Sequence, residues 1–153
     1  MAVFQARTAE NTRKAAEISR NAVATAEFLR RWHGDALCKA RQLANRQPTY
    51  AALEKAYLEA RDARSDDFFV YESELAFFEE LGVLYKHDGI ELSWIRDSLG
   101  STVIWRWEVW ELTILGRRAE FDSNSFYSNF EDLVKTLKAT STSAGGLKKD
   151  LAA

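Results

Sequence analysis

A single proline, Pro48, interrupts the 153 residues of this chain, and only seven glycines accompany it. Proline and glycine oppose the α-helix more strongly than any other residues, so their scarcity favours long helices. Apolar residues make up 46% of the chain, which is enough for a buried core in one domain of ordinary size. The sequence therefore predicts an all-α fold: a single helical domain of five to seven helices with a long N-terminal helix.

The N-terminal segment has a helical pattern but few large apolar residues. Ala, Arg, Lys, Glu and Gln dominate residues 3–32, and all five are good helix formers. Polar residues weaken the coiled-coil seam, whose steps of four and three residues pass through Phe4, Thr8, Asn11, Ala15, Ile18, Ala22, Thr25, Leu29 and Trp32. We predict that residues 1–30 form an exposed helix for docking or for a homodimer, with self-association through Ile18, Ala22, Leu29 and Trp32.

Capping signals divide the chain that follows. Asp35 is expected to cap a short helix after Gly34, and another helix restarts at Thr49 after Pro48. The segment RSDD then offers Ser65 and the two aspartates after it as caps for a strongly apolar helix.

Glycine and polar residues are expected to end the later helices. Gly89 suits a left-handed C-terminal turn, and Gly100 is expected to close the short helix IELSWIRDSLG. A last helix begins at Asp122 or Ser123, and from Thr140 the composition predicts a flexible tail. We therefore predict a core domain over residues 31–139 and a tail over residues 140–153.

The stretch TVIWRWEVWELTIL, residues 102–115, holds three of the five tryptophans. Strict alternation, typical of a strand, fits as far as Val109 and fails at Trp110 and Glu111. Helical surroundings and the length of the stretch favour a central helix, with most of the tryptophans packed in the core. The alternative is an exposed aromatic groove at one end of the helix, with Arg106 or Glu111 at its rim.

Charge is distributed unevenly along the chain. Residues 1–64 carry a net charge of +5, and residues 65–133 carry −10. Acidic residues interleave with the basic ones near the N-terminus, and the sequence pI is about 5.8, so no nucleic acid is expected as a partner. A protein partner is expected instead, and its predicted binding residues are Glu72, Glu79, Glu80, Arg106 and Glu111.

Motifs for catalysis or metal binding are weak. The one cysteine, Cys38, lies five residues after His33, which is poor geometry for a nucleophile pair on a helix. His87, Asp88 and Glu91 are the only cluster of mixed ligand types in the sequence. We expect no catalytic residues, no metal and no cofactor. No secretion signal or membrane span is visible either, so the expected location is the cytoplasm.

Two segments carry a resemblance to a known family. The block FFEELGVLYKHDGIELSWIRDSLGSTVIWRWEVW, with FLRRWHGDALCKARQLANR upstream, resembles an uncharacterised bacterial and phage family known only as a domain of unknown function. The resemblance covers residues 28–138 and implies a helical core without assigned catalytic residues. Members of that family often begin with membrane helices followed by a polar helix. This chain shows the polar helix but begins at Met1 with no span before it. It is therefore expected to be either a soluble member of the family or a part of a longer protein.

These observations predict a non-enzymatic protein-interaction module of bacterial or phage origin. Two alternatives stay open. One is a phage-type inhibitor that binds a basic groove of a host defence complex through an acidic face. The other is a small enzyme whose site is assembled from residues distant in sequence.

Overall fold

A computed structural model describes residues 2–147 of the chain, with side chains from residue 5 to residue 141. Within these limits there are six helices and no strand, which confirms the predicted all-α class and the long N-terminal helix. The helices are α1 (Ala2–Trp32), α2 (Asp35–Asn45), α3 (Tyr50–Asp62), α4 (Asp66–Lys86), α5 (Leu92–Phe121) and α6 (Ser128–Leu147).

Helix α4 lies at the centre, against α2, α3 and α6. Its buried side chains include Leu75, Phe77, Phe78 and Leu81. The ring of Phe78 stacks on Phe130 of α6 with 4.8 Å between the centroids. Two aspartates in its first turn and a lysine in its last complement the helix dipole. An acidic, aromatic sequence thus forms the core helix around which the others pack.

The close crossing of α4 and α6 depends on Gly82. A Cβ atom at this position would lie 3.0 Å from the backbone N of Phe130 and closer still to the carbonyl of Asn129. Glu79, one turn earlier, accepts a hydrogen bond from the Phe130 N–H at 2.9 Å. Its carboxylate therefore satisfies a backbone donor at the start of α6 and fixes where that helix begins.

Helix α5 is continuous, and the predicted break at Gly100 is wrong. The helix passes through Gly100 and Gly116 and ends at Phe121. A glycine inside a helix costs about 1 kcal/mol relative to alanine. Burial of Ile95, Leu99 and Val103 on either side of Gly100 outweighs that cost, since each such side chain contributes about 1.5–3 kcal/mol.

Helix α6 begins at Ser128, five or six residues later than predicted, and two other helix ends differ from prediction by one residue. Gly34, rather than Asp35, occupies the N-cap of α2. The left-handed residue after α4 is Asp88, with φ 56°, rather than Gly89. The Gly89 N–H bonds to the Leu84 carbonyl at 2.8 Å, so a Schellman turn forms with aspartate in the position usually held by glycine. Thr49 does cap α3, accepting from the Ala52 N–H at 3.1 Å.

Burial changes along α1. Every side chain from Gln5 to Ala16 is exposed, whereas from Asn21 onward one face of α1 packs against the core and residues such as Ala22 and Val23 stay exposed. At the other end, the backbone of α6 continues past Thr140 to Leu147, so this part of the predicted tail is helical. Residues 148–153 of that tail lie outside the described residues.

Candidate functional site

The first two-thirds of α1 project away from the helical core. We call residues 2–20 the arm; it spans roughly 28 Å. Every side chain from Gln5 to Ala16 is exposed. Ion pairs within the arm join Lys14 to Glu10 at 2.7 Å and Arg13 to Glu17 at 3.1 Å. Such exposed pairs contribute only a few tenths of a kcal/mol each, so the arm holds little stabilising interaction of its own.

Asn21 fixes the direction of the arm. This residue is fully buried, and its amide oxygen accepts a hydrogen bond from the Glu91 N–H at 2.8 Å. Its amide nitrogen donates to the Glu91 carboxylate at 2.9 Å and to the Glu17 carbonyl at 3.0 Å. Because the helix is unbroken here, the arm continues as one helix from an anchored base.

The four predicted self-association residues lie in two environments. Ile18 is 60% exposed, and Ala22 is exposed beside it at the base of the arm. Leu29 packs against the core, and Trp32 is 7% exposed there, 5.7 Å from the ring of Phe77. Of these four residues, Ile18 and Ala22 therefore lie on a surface that a second chain can reach. Phe4, the first residue of the predicted seam, lies outside the described side chains.

Glu72 belongs to a polar cluster between helices. It accepts hydrogen bonds from the hydroxyls of Tyr57 and Tyr127, the latter at 2.8 Å, and lies 3.8 Å from the guanidinium of Arg117. Burial raises the pKa of both tyrosine hydroxyls, so both stay protonated and donate. These contacts join α3, α4 and α5 to the turn before α6, and the Glu72 carboxylate is the group that all of them share.

The other two glutamates of the predicted acidic face also have partners within the chain. Glu79 accepts from the backbone at the start of α6 and from the Asn129 side chain at 2.6 Å. Glu80 forms a two-bond ion pair with Arg31, at 2.7 and 3.0 Å. The three carboxylates therefore engage three different neighbours rather than forming one open stripe.

Arg106 lies in the core, which corrects its expected place at the rim of a groove. Both Arg106 and Glu74 have fully buried side chains, and they form a two-bond ion pair. Asn45 accepts a further bond from Arg106 at 3.1 Å. Burial raises the pKa of the Glu74 carboxyl, and the adjacent guanidinium opposes that rise.

The tryptophans of α5 divide between core and surface. Trp107 and Trp110 are 5% and 0% exposed, whereas Trp105 is 46% exposed. Trp105 lines a shallow groove with Pro48 of the α2–α3 connection and Tyr50 at the start of α3. Glu111 is exposed and accepts from the Trp107 indole N–H at 3.1 Å. Trp107 and Trp110 therefore pack in the core as expected, whereas the groove beside Trp105 has neither Arg106 nor Glu111 in its lining.

Leu112 and Leu115 complete an exposed apolar row that the sequence reasoning missed. They are 41% and 49% exposed and follow Trp105 by seven and ten residues, so all three lie on one helical face. We call Trp105, Leu112 and Leu115 the α5 stripe. The spacing of these three residues indicates a shared face. Because α5 was expected to be surrounded by other helices, that face was assigned to the core.

Neither a metal site nor a membrane-spanning helix is found in the part of the chain that the structure describes. Among the described residues, no group of three or more His, Cys, Asp or Glu side chains is placed to hold a metal ion. Within the same part of the chain, no helix has both the length and the apolar character that crossing a bilayer demands.

Of the comparisons with known proteins, the one with protein families gives a match. No curated protein and no solved structure matches the chain. A family model described as Domain of unknown function (DUF4760) matches residues 1–137, a range that includes the arm, all of α2 to α5 and the buried part of α6. The chain therefore belongs to the DUF4760 family.

Proposed function

We propose that this chain is a non-enzymatic protein-interaction module that self-associates through its arm. The observation that carries this proposal is the exposure of every side chain from Gln5 to Ala16 in a helix that continues, unbroken, into the core. Such an element is placed to contact another molecule.

Helix physics supports the proposal. A helix without tertiary contacts is marginal in water when it is only about 12–15 residues long, because nucleation is unfavourable. The anchored base supplies a nucleus, but from Gln5 to Ala16 every side chain is exposed, so this described part of the arm has no apolar face packed on its own chain. Packing along the seam that includes Ala15, Ile18 and Ala22 would supply the missing burial.

Light scattering on purified full-length chain tests the proposal. We expect wild-type protein to have twice the chain mass in the micromolar range, and a chain lacking residues 2–16 to have the mass of one chain. The deletion leaves Glu17 and Asn21 in place, so the anchor to Glu91 is kept. A monomeric wild-type chain, or a deletion variant of unchanged mass, would contradict self-association through the arm.

A point substitution provides a matched test without truncation. Ile18→Glu places a charge in the seam and should shift the protein to monomer. Ala16→Glu places the same charge on the opposite face of the same exposed helix and should leave the mass unchanged. Equal behaviour of the two variants would argue against the seam.

The two alternative functions have less support. An acidic docking face would need free carboxylates, yet Glu72, Glu79 and Glu80 each have partners within the chain. An assembled catalytic site would need an accessible reactive group. The cluster around Glu72 is part-buried, and its two tyrosines are protonated and donate hydrogen bonds within the chain.

A further inference from the structure

The α5 stripe follows the same register as the arm. Steps of four and three residues connect exposed positions of α5 at Ser101, Trp105, Glu108, Leu112, Leu115 and Ala119. The seam of the arm has the same alternation of steps. Helices with this spacing pack side by side, with the residues of one seam inserted between those of the other.

The two surfaces also match in length. The arm covers residues 2–20, and the exposed register on α5 covers residues 101–119, so each extends over roughly 27–28 Å. The described seam of the arm offers the small or polar residues Thr8, Asn11 and Ala15 together with Ile18, whereas the stripe offers a tryptophan and two leucines. Small residues on one helix allow the large residues of the other to approach and bury their apolar surface.

Charge is complementary between them. Residues 5–20 of the arm carry four basic and two acidic side chains. Arg7 and Lys14 both lie on one flank of its seam, one helical heptad apart. On α5, Glu108 lies within the register and Glu111 lies beside it, and both are exposed. Glu111 also accepts from the Trp107 indole N–H. Glu108 lies 3.8 Å from Lys138 of α6 in an exposed ion pair, and exposed pairs of this kind contribute at most about 1 kcal/mol. A basic helix flank thus meets an acidic one, which favours this pairing over that of two basic arms.

The arm of the same chain cannot cover the stripe. Helix α1 runs unbroken from Ala2 to Trp32, and Asn21 is bonded to Glu91 immediately before α5. To fold back along α5, the arm would have to break the helix at this buried anchor. The occupant is therefore an arm from another molecule.

We infer that the α5 stripe is the receptor for the arm of a second copy of this chain, with each arm lying along α5 of the other protomer. This inference rests on the proposed self-association and adds the surface that the arm occupies. A reciprocal exchange of this kind closes a two-fold dimer in which both copies contribute the same two surfaces.

Charged substitutions in the stripe test the inference. Leu112→Glu and Leu115→Glu should each weaken dimerisation at least tenfold by light scattering and dilution. Phe69→Glu is the matched control, because Phe69 is 62% exposed on α4 and should not affect the dimer. Circular dichroism would establish that each variant is folded. If folded Leu112→Glu and Leu115→Glu keep the wild-type dimer, the inference is wrong.

Disulfide cross-linking is an independent test, which remains available if a charged stripe variant fails to fold. In a Cys38→Ser background, Ile18→Cys combined with cysteine at Trp105, Leu112 or Leu115 should form an inter-chain disulfide in at least one combination. Ile18→Cys with Phe69→Cys should not. Efficient cross-linking of Ile18→Cys alone would show that arms pair with each other, which overturns the α5 receptor and keeps the proposed function. If the chain lacking residues 2–16 has the same mass as wild type, both the proposed self-association through the arm and the α5 receptor are wrong.

Discussion

At the scale of single residues, the ion pair between Glu74 and Arg106 joins α4 to α5 in the core. Arg106→Met should destabilise the protein by about 3–5 kcal/mol, because it leaves a buried carboxyl without its partner. Urea unfolding measures the change. The double variant Glu74→Leu/Arg106→Met should recover most of the loss, since no charge is then left buried. A double variant as unstable as the single one would contradict this account.

Trp105 and Trp107 lie two positions apart on α5 and differ in burial, so their removal should have different effects on stability. Trp107 packs on Phe130 with 5.2 Å between ring centroids, whereas Trp105 is half exposed. Trp107→Ala should therefore cost about 3–5 kcal/mol. Trp105→Ala should cost about 1 kcal/mol or less. Thermal unfolding at a concentration too low for self-association separates the two, and equal losses would refute the assignment of Trp107 to the core.

Glu131 gives a pH dependence at the start of α6. Its pKa is lowered from the ordinary 4.5 by the hydrogen bond from Lys135, with Arg118 adding to the effect. A carboxyl whose pKa is lower in the folded chain contributes stability above its unfolded pKa and loses it as pH falls through the folded pKa.

Glu131→Gln should thus be less stable than wild type at neutral pH, by about 1–3 kcal/mol. The difference should narrow as pH falls below 4.5, the ordinary pKa of the group. Urea unfolding across pH measures it. Asp132→Asn, at the exposed next position, is the control and should show a much smaller difference. A gap that is constant with pH would exclude the titration of Glu131 as its source.

At the scale of helices, two buried glycines have opposite roles. A Cβ at Gly82 would meet the α6 backbone, whereas a Cβ at Gly100 would lie 3.7 Å from the Arg96 side chain, an ordinary contact. Gly82→Ala should therefore cost about 1–3 kcal/mol through overpacking. Gly100→Ala should stabilise the chain by up to about 1 kcal/mol through helix propensity. Chemical denaturation measures both, and a neutral Gly82→Ala would show that the α4–α6 crossing can open without cost.

At the scale of the whole molecule, the arm links helix formation to assembly. On dilution to monomer, the arm should lose helix while the core keeps it, because only the core has tertiary packing. Far-UV circular dichroism should therefore decrease as the chain is diluted, by no more than the arm contributes. The chain lacking residues 2–16 is the control and should show no such change. A wild-type signal independent of concentration across the dimer–monomer transition would contradict the coupling.

Several features of the fold follow from local sequence. The scarcity of Pro and Gly, the Thr49 cap and the failure of alternation at Trp110 depend on neighbouring residues alone, so the all-α class and the main helices were predictable. The continuity of α5 was not, because Gly100 is a poor helix residue that burial of its neighbours overrides. Arg106 was misplaced for a similar reason: a buried guanidinium requires Glu74, and nothing local pairs them.

The candidate site likewise has features that the local sequence predicts and features that depend on tertiary packing. The step pattern and the weak apolar content of the arm are legible in the sequence, and they predict an exposed helix in need of a partner. Which glutamates are free, and which face of α5 is left uncovered, depends on where α3, α4 and α6 lie around it. Periodicity reports which residues share a face of a helix, but burial is a property of the neighbours that cover the face. Local interactions therefore set the helices, and long-range packing sets which of their surfaces remain for a second chain.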